Sequence, residues 1–139
     1  MSIRLLLMVC LVAMPVLAEQ KQVVGDYVAH YNAQSTTELN PEVARRHGIN
    51  RNPRLAMIMV TVQNKDGEAV AAAISGQARN LLGQSQPLDM REIREDTSIY
   101  YIGLFSISHR DTQVFELDIR PAASAAAFPL RFSQQFFVD

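Results

Sequence analysis

Apolar and polar residues alternate with a period of two along most of this chain, and turn-forming residues bound each run. The pattern predicts a strand over Lys21 to Asn32, with Tyr27, Ala29 and Tyr31 on one face. Arg54 to Gln63 is apolar on both faces, Leu55, Met57 and Met59 opposing Ile58, Val60 and Val62, as a strand covered on both sides requires. Asn64-Lys65-Asp66-Gly67 reads as a turn. Glu68 to Ala78 follows as a strand on which Val70, Ala72, Ile74 and Gly76 share a face. Asn80 to Gly83 makes a connection, Pro87 to Ile93 a short polar strand, and Thr97 to Ile107 another strand buried on both sides. Alternation is cleanest in Gln113 to Arg120, which sends Phe115, Leu117 and Ile119 inward and Glu116, Asp118 and Arg120 outward. Phe128 to Val138 closes the series, with Leu130, Phe132, Phe136 and Val138 on one face.

One segment breaks the period. Asn40 suits an N-cap, Pro41 the first helical position and Glu42 the positive end of the dipole, and Gly48 can stop the helix. A helix of two turns is therefore expected over Pro41 to His47, lying across an edge or end of the sheets. The fold class that follows is all-β: an immunoglobulin-like antiparallel β-sandwich of about seven strands with one short helix.

The first residues belong to a different regime. Arg4 supplies a positive start, Leu5 to Ala13 is uninterruptedly apolar, Pro15 breaks any helix, and Val16-Leu17-Ala18 fits a cleavage site. Residues 1–18 read as a signal peptide cleaved after Ala18, and 19–139 as a single β-sandwich domain. The apolar run falls well short of the roughly 20 residues that span a bilayer, so no membrane span is expected after cleavage. The expected location is the periplasm.

Cleavage also changes the chemistry. The single cysteine, Cys10, lies in the leader, so the exported chain has no disulfide, thiolate ligand or cysteine nucleophile. Losing Arg4 moves the formal net charge from −1 to −2. No basic run or basic-aromatic stripe is present, which argues against nucleic acid and anionic membrane as partners.

Several blocks then carry a resemblance. They are Gly25-Asp26-Tyr27, His30-Tyr31-Asn32-Ala33, Leu39-Asn40-Pro41-Glu42-Val43-Ala44, Asn80-Leu81-Leu82-Gly83-Gln84, Arg91-Glu92-Ile93-Arg94-Glu95, Ile99-Tyr100-Tyr101-Ile102 and Phe136-Phe137-Val138-Asp139. The chain resembles a family of small exported proteins of Gram-negative bacteria whose domain has no assigned function. The resemblance implies a periplasmic location and one β-rich domain, and it transfers no catalytic residue.

Candidate chemistry is sparse. There is no nucleophile elbow: Ser75-Gly76 lies in mid-strand, and the other serines lack histidine-carboxylate partners in sequence. No catalytic residue and no cofactor is assigned, and the chain is read as a non-enzyme. A metal-carrier reading would use His30, His47 and Met90, a donor set suited to copper, although no two histidines sit at ligand spacing. Met57 and Met59 share a strand face but read as core filler. The alternating charges of Asp89 to Asp96 read as a solvated strand edge. For binding, His30 and Asn32 on a strand, and Asn80 and Gln84 around a turn, combine adaptable hydrogen bonding with exposure. The sequence thus favours a non-catalytic module that binds another envelope protein or peptide. A copper carrier, and behind it a small-molecule binder or hydrolase, are the alternatives.

Overall fold

The computed structural model describes residues 20–124 and 126–138, so the signal peptide expected over residues 1–18 and the cleavage expected after Ala18 lie outside the described residues. Nine strands are present among them: β1 (Lys21–Val24), β2 (Tyr27–Ser35), β3 (Leu55–Asn64), β4 (Ala72–Asn80), β5 (Ser85–Pro87), β6 (Arg91–Glu95), β7 (Ser98–Ser106), β8 (Asp111–Pro121) and β9 (Phe128–Phe136). They form two antiparallel sheets, ordered β1-β2-β3-β7-β6 and β5-β4-β8-β9. With β1 set aside as an added edge, β2-β3-β7-β6 follows the A-B-E-D order and β5-β4-β8-β9 the C′-C-F-G order of immunoglobulin domains.

The alternation places the core. Ala29, Ile58, Val60, Val62, Tyr101 and Phe105 from one sheet meet Ala78, Phe115, Leu117, Ile119, Leu130 and Phe136 from the other. Phe115 stacks on Phe132 at 4.6 Å between ring centroids and meets Phe105 edge-on at 5.1 Å. Where the chain leaves β3 for the second sheet, the Ala72 N–H donates to the Tyr101 hydroxyl at 2.8 Å, so a buried tyrosine satisfies a backbone group at the crossing.

The strand count and two positions differ from the sequence expectation. Lys21 to Asn32 is not one strand but the hairpin β1–β2, turned at Gly25-Asp26 with Gly25 at φ +57°. The side-chain phase reverses across this turn: Val24 joins Tyr27 against the core while Val23 is exposed. Pro87 to Ile93 is also two strands. Pro87 ends β5 in one sheet, Leu88 and Met90 pack in the inter-sheet core, and Arg91 begins β6 in the other sheet. Alternation alone cannot reveal such a crossing, because residues on both sides of it keep facing the same core.

The helix α1 (Pro41–Arg46) forms as its signals dictate. Asn40 Oδ1 accepts from the Glu42 N–H at 2.8 Å, and Gly48 beyond the C-cap takes φ +66°. It lies on the outer face of the five-stranded sheet rather than at an edge or end. There Ala44 and Ile49 cover Met57 and Ile102 in a second cluster, with Leu39, Met59 and Ile93 at its rim. This explains why β3 is apolar on both faces.

Thr36 ties down the two ends of that excursion. It is fully buried, its hydroxyl lies 3.0 Å from the Asn52 and 2.9 Å from the Leu55 carbonyl oxygens, and it accepts from the Asn52 N–H at 2.9 Å. Thr36→Val keeps the shape and strips these partners, so a stability loss of about 1–2 kcal/mol is expected in urea melts. A loss near zero would show that the clasp is dispensable.

Candidate functional site

The end of the sandwich that carries the β4–β5 turn is built around Asn80. Asn80 Oδ1 accepts from the N–H groups of Leu82 (3.0 Å) and Gln84 (2.9 Å), and its Nδ2 donates to Gln84 Oε1 at 2.7 Å. Two backbone bonds close the turn, from Asn80 N–H to Gln84 O and from Gly83 N–H to Asn80 O, with Gly83 at φ +82°. Asn80 and Gln84, singled out for binding, are side by side. Their polar groups are engaged in shaping the turn, in the manner of an Asx-turn.

What this frame displays is the pair between them. Leu81 and Leu82 are 76% and 85% exposed on a tip held by five hydrogen bonds. Turn positions ordinarily take polar residues, so two adjacent leucines there are the anomaly a sequence reading could have used.

The β7–β8 loop lies beside this tip, across a recess of about 280 Å³ between Leu81, Leu82, His109 and Arg110. Asp111 Oδ2 accepts from the Ser108 N–H at 3.0 Å and from Gln113 Nε2 at 2.9 Å, fixing the loop. His109 Nδ1 accepts from the Val138 N–H at 3.0 Å, and its ring meets Phe137 edge-on at 6.0 Å. Phe137 is 62% exposed, so three large apolar side chains gather at this end.

His30 and Asn32 lie elsewhere, on the outer face of β2. His30 sits opposite Thr61 and Asn32 opposite Met59 on β3. His30 Nε2 is 3.1 Å from Gln63 Oε1, and His30, Thr61, Gln63, Ser98 and Tyr100 line a cleft of about 450 Å³.

The metal-carrier set does not converge. His47 caps α1, with Nε2 2.9 Å from Glu95 Oε1, while the Arg91 guanidinium donates to its carbonyl oxygen at 2.8 Å. Met90 packs in the inter-sheet core against Gly103, on the opposite side of the sheet from His30. No group of three or more His, Cys, Asp or Glu side chains that could hold a metal ion occurs among the described residues. The residues present therefore do not fit a copper centre built from His30, His47 and Met90.

Among the described residues no helix is long and apolar enough to cross a membrane. Comparison with curated proteins finds no match. Among solved structures, a DUF4426 family protein from Pseudomonas aeruginosa PAO1 is similar at 35% identity and a TM-score of 0.78, over 87% of this chain and 96% of that one. FetP of uropathogenic Escherichia coli strain F11, recombinantly expressed in the periplasm of E. coli, shares the fold at 9% identity and a TM-score of 0.63, over 86% of this chain and 94% of its own. A copper-bound single-substitution variant of FetP aligns at 10% identity and a TM-score of 0.64, over 87% and 96% of the two chains. The family profile described as Domain of unknown function (DUF4426) matches residues 21–139, and this chain belongs to that family.

Proposed function

We propose that this protein is an exported, non-catalytic interaction module that docks onto another protein of the cell envelope by the end of the sandwich carrying Leu81 and Leu82. The observation that carries this reading is the exposure of two adjacent leucines on a turn whose backbone and side-chain hydrogen bonds are already made. A tip fixed before binding loses little conformational freedom on docking. Burying both leucines gives a gross gain of about 3–6 kcal/mol. Because the tip is convex, the partner supplies the groove. The periplasmic location rests on the signal-like residues 1–18, with the periplasmic expression of FetP as support.

The test is a matched pair of baits. Wild-type protein and the Leu81→Ser/Leu82→Ser double variant are immobilised and exposed to envelope extract, and any retained protein is then purified and bound to each. The double variant should keep its melting temperature, because both side chains are already in water, and lose at least about tenfold in affinity for the purified partner. A partner that binds both baits equally contradicts docking through this tip.

The copper-bound state of the FetP variant favours one competing reading, a metal carrier. The dispersed positions of His30, His47 and Met90 lead us to expect no saturable rise in melting temperature with copper. A rise that disappears in the His30→Gln/His47→Gln/His109→Gln triple variant would establish the carrier instead.

A further inference from the structure

We propose that the cleft on the outer face of the five-stranded sheet is a binding site for a neutral oligosaccharide. It is separate from the docking end and independent of that reading. Its polar lining comes from three neighbouring strands, His30 from β2, Thr61 and Gln63 from β3, and Ser98 and Tyr100 from β7. The β3–β7 ladder ends at Val60 and Tyr101, so the cleft opens where Thr61–Gln63 part from Ser98–Tyr100, with β2 on the far side of β3 and β6 on the far side of β7.

The lining defines the ligand class. None of its described residues is an acid, a lysine or an arginine, so a charged ligand would lose water and meet no fixed counter-ion. Thr61, Ser98 and Tyr100 carry hydroxyls, each able to donate and accept. Gln63 adds an amide with one accepting and one donating end. With His30 donating through Nε2 to Gln63 Oε1, that amide is oriented with its NH₂ as the donating end. Ligand hydroxyls, also donors and acceptors at once, are the complement of such a set. Tyr101 points inward with its hydroxyl near the Ala72 N–H, so alternation sends Tyr100 outward, where its ring offers a flat apolar surface for the C–H face of a sugar. The volume, about 450 Å³, lies in the range of small-molecule sites.

The experiment is an NMR titration of the purified protein with maltotriose, cellotriose and tri-N-acetylchitotriose, alongside trigalacturonate and triglycine. At least one neutral trisaccharide should shift the amide signals of Thr61, Gln63, Ser98 and Tyr100 saturably, at up to about 10 mM. Trigalacturonate and triglycine should leave them in place. Tyr100→Ala should weaken the binding about fivefold or more. Gln63→Ala should also weaken it, and decides the matter if the tyrosine variant fails to fold. The proposal is overturned if no neutral trisaccharide gives a saturable shift, if triglycine or trigalacturonate binds as well, or if a folded Tyr100→Ala or, failing that, Gln63→Ala binds like wild type.

Discussion

Phe115→Ala should remove about 3–5 kcal/mol of folding stability, the largest loss expected from any single truncation in this domain. Phe115 is fully buried in the middle of β8, and its ring is the hub of the core: Phe132 stacks on it, while Phe105 and Phe136 approach edge-on at 5.1 and 6.5 Å. Alanine leaves a cavity lined by rings from both sheets, which strands locked in register cannot collapse to fill. Domains of this size are stable by about 5–15 kcal/mol, so the loss is a large share of the total. Phe137, between the inward-packed Phe136 and Val138, is mostly exposed, and Phe137→Ala should change stability by no more than about 0.5 kcal/mol. Urea melts of the two variants read the difference directly. Equal losses would refute the inward and outward assignment.

Gly76→Ala should cost about 3 kcal/mol, the top of the usual range for overpacking. A Cβ at this position would collide with the Glu116 carbonyl oxygen and lie 2.8 Å from Leu117 Cα, both backbone atoms of the paired strand β8. Neither can retreat without disturbing the β4–β8 ladder. Gly103 offers the contrast. Its Cβ would meet Met90 Sδ at 2.7 Å, the far end of a flexible side chain, with Ile58 and Leu88 at ordinary distances of 3.4 and 3.5 Å. Gly103→Ala should therefore cost less than about 1 kcal/mol, because the methionine can swing aside. If the two glycines respond alike, β4 and β8 do not approach as closely as described.

Most of the sandwich was legible because its strands bury one face or two. The inward phases of β8 and β9 follow directly from Phe115-Leu117-Ile119 and Leu130-Phe132-Phe136, and α1 announces itself through Asn40, Pro41 and Gly48. Three features escaped for physical reasons. The turn at Gly25 is only two residues long, so no loop-like stretch betrays it, and the sign is the phase reversal between Val24 and Tyr27. The passage through Leu88 and Met90 changes sheets while keeping both side chains in one core. The helix covers Met57 and Ile102, but periodicity specifies neither which element covers a doubly apolar strand nor from which side.

The candidate site was less legible. Asn80 and Gln84 were identifiable by type, yet their pairing within the turn depends on three-dimensional hydrogen bonds. The leucines they frame lie in a stretch read as a connection, where adjacent apolar residues are unusual, but that both stand in water is shown only by the structure. His30 kept its place beside polar neighbours, but Thr61, Gln63, Ser98 and Tyr100 come from distant stretches of chain that only the strand order assembles.

Site-specific photo-crosslinking in cells that export the protein is the most direct test of docking through the leucine tip. A photoreactive phenylalanine analogue replaces Leu82 in one variant, Phe137 in a second, Asp66 at the opposite end in a third, and Ser133 on the outer side of β9 in a fourth. The docking account predicts one discrete, higher-mass adduct to a protein from position 82, a weaker one from position 137, and none from 66 or 133. Adducts from 66 or 133 in place of 82, or no adduct at 82 in folded, exported protein, would contradict it.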